Sequence, residues 1–320
     1  MKSISVCIPC YNEAGNVVEA YQSITKTMKG LKRYSYEIVF EDNASTDETV
    51  VNLKKIASQD THVRVILNNR NFGIGRSGTN CLANARGDAA VLIPCDMQDP
   101  PELIPELIEK WEDGAKVVWG QKISSDERGV MRKLRRLYYH FYINVLKVKA
   151  FPQVDGFGLY DKIVLTDLRK YCDTGLGVKT LVGEAGYKVA LVPYHQKERK
   201  SGVSSYNMRK YIEQAVTNVV VNTRKPLDIM LDISVVLGGA ATVLFLAYLV
   251  ACGLTKLDVN PLVLFGLFML ILVTLQMIFL ALIGKYVGRL SEQMEKYPFA
   301  FVSEEINGEN AGDELREDKQ

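Results

Sequence analysis

The feature that most constrains this chain is a regular alternation over roughly its first 120 residues. Short apolar runs at 3–8, 36–41, 63–67, 89–94 and 115–119 read as strands. Between them, the stretches at about 14–29, 46–58, 76–86 and 101–113 read as helices. Strands alternating with helices imply βαβ units and a mostly parallel sheet. The polar loops follow the strands: Pro9-Cys10-Tyr11-Asn12-Glu13, then Glu41 to Asp47, Asn68 to Gly73, and Asp96-Met97-Gln98. In an open α/β sheet, ligands bind on the rim beyond the carboxyl ends of the strands.

The last of these loops carries the most chemistry. An apolar run starting at Val91 ends in Asp96, Gln98 and Asp99, and a helix opens at Pro100-Pro101-Glu102. In extended chain, Asp96 and Gln98 point to the same side. A carboxylate beside a carboxamide suits a hard divalent cation, Mg²⁺ or Mn²⁺, that also holds a diphosphate. Asn12, Glu13, Asp42, Ser45 and Asp47 stand where short polar side chains can meet a nucleotide's base and ribose. Ser45 and Asp47 also suit the cap of the following helix. Asp42 has no such use, which favours a ligand role.

Gly73-Ile74-Gly75-Arg76-Ser77-Gly78 is literally GxGxxG, the pattern of a dinucleotide-binding turn. A dehydrogenase is the weaker reading. The strand end at Leu67 lies too far from Gly73 for the tight turn, and nicotinamide chemistry leaves Asp96 and Gln98 unexplained.

Hydrophobic residues make up 48% of the chain and the formal net charge is +2. That balance excludes a disordered chain and bulk nucleic-acid binding. Scattered cysteines fit a reducing compartment, and Cys7-Ile8-Pro9-Cys10, with no second pair, makes a poor metal site. No signal peptide is expected, because the first residues run straight into a strand.

From 128 to 149 the character changes: Arg128, Arg132, Lys133, Arg135 and Arg136 precede a cluster of aromatics on a helical stripe. This is the composition of a helix in a membrane interface. Two apolar segments follow, at about 229–252 and 262–284, each long enough to cross a ~30 Å hydrocarbon core as a helix. Arg224, Lys225, Lys285 and Arg289 flank the pair, so the positive-inside rule puts both termini on the cytoplasmic side. The expected organisation is a cytoplasmic α/β domain over 1–225, a two-helix transmembrane hairpin within 226–290, and a tail over 291–320. The tail beyond Val302 carries Glu304, Glu305, Glu309, Asp313, Glu314, Glu317 and Asp318 against Arg316 and Lys319, and is expected to be disordered.

Several motifs together resemble the family-2 glycosyltransferases of the GT-A fold: Ile8 to Glu13, Glu41 to Asp47, Asn71-Phe72-Gly73-Ile74-Gly75, Ala85-Arg86-Gly87-Asp88 and Asp96 to Glu102. With the apolar hairpin, the chain is similar to the polyprenyl-phosphate branch, which includes dolichol-phosphate mannose synthases and bactoprenol glucosyltransferases. The resemblance implies a Rossmann-like catalytic domain, a nucleotide-sugar donor, a polyprenyl-phosphate acceptor at the membrane, inversion at the sugar, a divalent cation and a homo-oligomer. UDP is the expected nucleotide by analogy. The resemblance puts Pro9, Tyr11, Asn12, Glu13, Asp42, Ser45, Asn71 and Gly75 around the donor nucleotide. It puts Asp96 and Gln98 on the metal, and Asp96 and Asp155 at the reacting centre, Asp155 orienting the acceptor or acting as base. Arg128, Arg132, Arg199 and Lys200 match the basic positions that hold the acceptor phosphate.

Two departures stand out. The family usually reads Asp-Ala-Asp-x-Gln, and here Pro94 replaces the first Asp, removing one metal ligand. Gly156-Phe157-Gly158-Leu159-Tyr160 lacks the Arg often found in the acceptor loop. A processive polysaccharide synthase is a rival reading, but its Gln-x-x-Arg-Trp motif is missing around Trp111 and Trp119. A membrane-anchored module without catalysis is another, and it would not need four polar loops on one rim.

Overall fold

The computed structural model describes residues 1–123, 153–170, 178–197, 261–294 and 298–308, with 137, 138, 140–145 and the single positions 216, 219, 225, 229, 232 and 243. The chain divides into two compact units. The first comprises Met1–Leu134, Lys149–Ser204 and Glu295–Gln320, and the second Arg135–Val148 and Ser205–Met294.

In chain order the first unit runs β1 (Lys2–Cys10), α1 (Val17–Gly30), β2 (Tyr34–Asp42), α2 (Thr49–Gln59), β3 (Val63–Asn68), α3 (Ile74–Ala83) and β4 (Ala89–Leu92). A 3₁₀ turn at Pro101–Leu103 leads into α4 (Ile104–Glu112), then β5 (Val117–Lys122), β6 (Gly158–Asp161), α5 (Lys162–Lys170), α6 (Val178–Ala185) and β7 (Val189–Tyr194). It closes with β8 (Val302–Ile306), which lies after α7 (Pro261–Met294) of the second unit. The described strands form one sheet in the order β7-β5-β6-β4-β1-β2-β3-β8. β6 and β8 run against the rest: β4/β6, β5/β6 and β3/β8 pair antiparallel, and the other pairings are parallel.

Side-chain alternation along the strands builds a core on each face of the sheet. Ile4, Val6, Ile8 and Phe40 pack with Val17, Ile24, Leu53, Leu107 and Trp111 on one side. Cys7, Val39 and Ile66 pack with Leu82, Leu165, Leu168 and Leu181 on the other. Each such fully buried aliphatic side chain contributes roughly 1.5–3 kcal/mol, so the faces hold the sheet while its carboxyl rim carries polar loops.

The expected strands and helices of the first 120 residues are present, with ends moved by local chemistry. β4 stops at Leu92 rather than 94: Ile93 N–H still bonds Cys7 O at 3.0 Å, but Pro94 has no N–H to continue. α1 begins at Val17 because the N–H groups of Asn16 and Val17 close a turn on Glu13 O, at 2.8 and 3.0 Å. Between β4 and β5 the sheet accepts β6, which the sequence reading left out. A Cβ on Gly158 would press on Trp119 and the Val118 carbonyl, so glycine permits this close approach.

The expected disorder of the whole 291–320 tail is corrected at 298–308, because β8 extends the sheet at β3 and buries Phe299. Hydrogen bonds to an open strand edge and a buried aromatic offset the ordering entropy that its acidic composition suggested could not be met. In the second unit, the backbone of the later expected span is helical as part of α7, whose sequence carries no charge from Pro261 to Gly284. The earlier span, 229–252, lies outside the described residues except at single positions. The described residues therefore show no hairpin, and among them no helix is long and apolar enough to cross a membrane. The 128–149 helix also lies largely outside the described residues, which include a π-helical turn at Phe141–Val145.

Candidate active site

The loops after β1, β2 and β3 are stitched to one another. Asn12, held at φ 55°, donates its N–H to Ser45 Oγ (2.8 Å) and accepts from Thr46 N–H on Oδ1 (2.8 Å). Glu13 N–H donates to Thr49 Oγ1 (2.8 Å), and Glu13 Oε2 accepts from Asn16 Nδ2 at 2.5 Å. Asp47 accepts from Thr49 N–H (3.0 Å) and Ala14 N–H (3.2 Å). Burial alone would raise its pKa, but the Thr49 and Ala14 donors hold it below the usual carboxylate range. Ser45 and Asp47 thus serve the loop and the start of α2.

Asn43 extends the stitching to β3. Its N–H donates to Cys10 O (2.9 Å), its Nδ2 to Asn71 Oδ1 (2.9 Å), and its Oδ1 accepts from Phe72 N–H (2.9 Å). Asn71 Oδ1 also accepts from Gly73 N–H (2.8 Å), and Gly73 takes φ 84°, a conformation glycine permits where α3 begins.

Asp42, 1% exposed, sits inside this network. It caps no helix, as expected, but it has a local partner: Oδ2 accepts from Ser45 N–H at 2.9 Å. Its Oδ1 is buried and accepts no hydrogen bond among the described residues. An orphaned buried carboxylate oxygen carries a desolvation penalty that a ligand donor removes. Beside it, Glu41 turns to the other face and is fully buried. Burial raises its pKa to about 7, opposed by the amides of Asn68 (2.8 Å) and Asn80 (3.0 Å). Among the other expected donor residues, Tyr11 is exposed on the rim, Pro9 is buried on the side of α3, and Gly75 lies in the first turn of α3 with open space at its Cα.

The loops after β4, β5 and β7 hold charges. Asp96 and Gln98 are not on extended chain, which corrects the same-side argument. Met97 takes φ 58°, and Gln98 N–H folds back on Asp96 Oδ1 at 3.2 Å. Lys197 N–H bonds Gln98 O (2.9 Å), tying the end of β7 over this turn. Asp99 is 3% exposed and accepts from Tyr194 O–H at 2.5 Å. Burial raises its pKa, the charges of Asp96 and Asp155 add to the rise, and Tyr194 and Lys122 oppose it. Burial and Asp99 push the Tyr194 phenol far up in turn.

Asp155 stands in a tight loop between Gln153 (φ 64°) and Gly156 (φ 107°) and pairs with Lys122 Nζ at the end of β5. Tyr160 O–H anchors that loop through Gly156 O (2.7 Å) and receives Trp119 Nε1–H (2.9 Å). Lys179 of α6 reaches the same loop, its Nζ donating to Val154 O at 3.1 Å. Although the residue has exposed surface, loss of hydration at its crowded end lowers its pKa, and neighbouring Asp155 opposes the fall.

Asp96, Asp99 and Asp155 thus lie within electrostatic reach of one another, with Lys122 and Lys179 beside them. Among the described residues no three His, Cys, Asp or Glu side chains form a metal site of their own. The Asp96 carboxylate and the Gln98 carboxamide are the oxygen donors that this turn offers to a hard cation. Cys7 and Cys10 are buried free thiols. Arg128, Arg132, Arg199 and Lys200 lie outside the described residues.

The sequence reading placed Asp99 in the polar loop without a role, and missed Asn43, Lys122, Lys179 and Tyr194. Lys122 had a signal, since it ends a strand on the ligand rim. Asn43 had only its place between Asp42 and Ser45, and Tyr194 reads as an ordinary core aromatic.

The model of "Glycosyl transferase family 2" matches residues 5–169. The uncharacterized glycosyltransferase YkcC of Bacillus subtilis is 28% identical over 96% of this chain and 95% of its own length. A prophage bactoprenol glucosyl transferase homolog of Escherichia coli is 28% identical over 92% of this chain and 96% of its own length. Among solved structures, glucosyl-3-phosphoglycerate synthase from Mycobacterium tuberculosis, in complex with Mn²⁺, UDP and phosphoglyceric acid, shares the fold. Its TM-score is 0.50 at 18% identity, covering 68% of this chain and 76% of that one.

Proposed function

Because the chain belongs to glycosyl transferase family 2 and is a glycosyltransferase, we propose that it moves a sugar from a nucleotide sugar, UDP-linked, to a polyprenyl phosphate, with inversion. The observation that carries this reading is the near full-length similarity to a bactoprenol glucosyl transferase homolog, which runs well beyond the family domain. The apolar sequence at 229–252 and 262–284 supports membrane anchoring as a hairpin, with both termini cytoplasmic. The lipid acceptor then meets the catalytic unit at the membrane surface.

In this reading the β1–β2–β3 loops take the nucleotide. The buried Oδ1 of Asp42 accepts a donor group of the base, and Asn12, Ser45 and Asn71 hold the loops in place. Asp96 and Gln98 would hold a divalent cation, which offsets charge on the leaving diphosphate; the Mn²⁺ in the complex of the fold neighbour supports this. Pro94 leaves the protein one carboxylate short there, so metal affinity depends on the donor diphosphate.

The acceptor phosphate, with a second pKa of about 6, is already largely ionised near neutral pH and needs little help from a base. One of its oxygens attacks the anomeric carbon from the face opposite the diphosphate. The bond from that carbon to the diphosphate oxygen breaks, and the nucleoside diphosphate leaves with the electron pair. Asp155, steadied by Lys122, orients the acceptor, while Lys122 and Lys179 supply positive charge that the missing loop arginine does not. Arg128, Arg132, Arg199 and Lys200 add to the phosphate site.

The test mixes detergent-purified protein with undecaprenyl phosphate, Mg²⁺ or Mn²⁺ and a panel of UDP- and GDP-sugars, followed by mass spectrometry of the extracted lipid. One sugar on the lipid, lost in Asp96→Ala, is the expected result. Nucleotide binding without any lipid product would overturn the acceptor assignment for the sugars tested.

A further inference from the structure

The acidic segment after α7 enters neither the cluster around Asp155 nor the expected chemistry, yet it touches the donor side of the sheet at many points. β8 pairs antiparallel with β3, Ile306 opposite Val65 and Val302 opposite Asn68, with a register shift at Leu67/Asn68 where β3 gives way to its loop. Ser303 Oγ donates to Leu67 O near the end of β3 at 2.9 Å, and beyond it Phe301 O accepts from Asn69 N–H of the loop at 2.9 Å. The Phe301 ring lies 6.2 Å from that of Phe72. From the far side of the loop, Arg76 donates through Nε to Phe299 O (2.9 Å) and through Nη2 to Pro298 O (2.8 Å).

The strand is anchored away from the rim as well. Phe299 is 3% exposed in the core with Cys81 and Leu82. Glu305 pairs with Arg64 at 2.9 Å, and Arg64 is itself buried against Glu37. Asn307 Nδ2 donates to the carbonyls of Ala57 and Val63, each at 2.8 Å. A segment this firmly held presents a fixed surface to the loop at 69–76. The other side of the same loop is what Asn43 grips, through Asn71 Oδ1 and Phe72 N–H, one residue from Asp42.

We propose that 298–306 is a strap belonging to the donor site, and that Phe301, against Phe72 and Asn69, and Ser303, on the β3 end that leads into the loop, are positioning residues that hold the 69–76 loop in its nucleotide-binding form. The inference rests on the reading of Asn71 and Gly75 as donor residues. Neither strap residue touches the donor; they act by ordering the loop before it binds. Without the strap, the loop's ordering entropy falls due when the nucleotide arrives, which weakens affinity and leaves the chemical step alone. The tail is then a working part of the catalytic unit and not a solvated appendage.

The test compares the full chain with Phe301→Ala/Ser303→Ala and, as a second variant, Asn307→Ala, which loosens the far end of the same strand. Amide hydrogen exchange, calorimetric titration with UDP and with GDP, and donor KM against kcat are measured for each. In the double variant, exchange at 69–76 is expected to quicken. UDP affinity should fall about tenfold, equivalent to about 1.4 kcal/mol, with kcat little changed. Asn307→Ala should lower thermal stability and leave UDP affinity intact.

Equal losses of affinity in both variants would reduce the strap to general stability and overturn the proposal. So would unchanged exchange at 69–76, or unchanged affinity despite faster exchange. A parent chain that binds neither UDP nor GDP would overturn the donor reading first, and the strap's role with it. That outcome is told apart because the parent, not the variant, fails.

Discussion

The two ends of the ligand rim differ in what satisfies their polar groups. Around β1, β2 and β3, loops are sewn together by side-chain-to-backbone hydrogen bonds from Asn12, Asn43, Ser45, Asp47 and Asn71. Around β4, β5 and β7, acidic and basic side chains meet one another, as Lys122 does Asp155, and Asp99 meets the Tyr194 phenol. That network is bonded locally and still holds the buried Asp42 Oδ1, which accepts no hydrogen bond among the described residues, as a ready-made socket. An ion pair whose carboxylate side is 65% exposed can change partners when a phosphate arrives, because such a pair is worth little on its own. The difference suits a site that must recognise a nucleotide at one end and handle moving charge at the other.

Breaking the charged end should have the largest effect. Asp155→Asn and Lys122→Met are each expected to lower turnover about 100-fold while UDP affinity, measured by calorimetry, stays at the parent value. Full turnover with an unchanged response to metal in Asp155→Asn would remove that residue from the mechanism. At the sewn end the opposite split is expected. Asp42→Asn should weaken UDP binding by roughly ten- to a hundredfold, the worth of one buried hydrogen bond to a charged group, with kcat at saturating donor little changed. Loss of kcat alone there would erase the distinction between the two ends.

The smallest change in activity is expected at Glu41, which sharpens the comparison because it lies under the sewn end and touches no ligand. Its pKa rises from 4.5 to about 7 through burial, so the folded chain binds more protons than the unfolded one between those values. The stability this group contributes is complete below pH 4.5 and is lost as pH rises through 7. The loss amounts to at most about 3 kcal/mol. Glu41→Gln should flatten chemical-denaturation midpoints across pH 5 to 8. A slope equal to that of the parent would show that the group titrates normally.

Much of this was legible along the chain. Strand and helix periodicity in the first 120 residues is a local signal, and the loops that follow each strand could be assigned to the rim before any contact was known. Asp42, Ser45 and Asn71 could be picked out for the same reason. Their partners could not. That Asn43 joins two loops depends on β2 and β3 lying side by side, and Asp99 finds Tyr194 from 95 residues away. The turn at Asp96 escaped because Met97 gives no sign that it adopts a left-handed backbone.

Residue spacing and type alone specify the α/β class, the order of the parallel strands' loops, the family and the apolar segments after residue 225. Each is written in spacing and residue type over a few tens of positions. It took the folded chain to show that β6 enters the sheet in reverse, that Lys122 and Lys179 share Asp155's loop, and that an acidic segment closes the edge beside β3. Those outcomes rest on contacts between distant residues. A strand edge accepts any segment whose backbone fits, and the five residues Val302–Ile306, three of them polar, announce nothing until β3 supplies the partner groups.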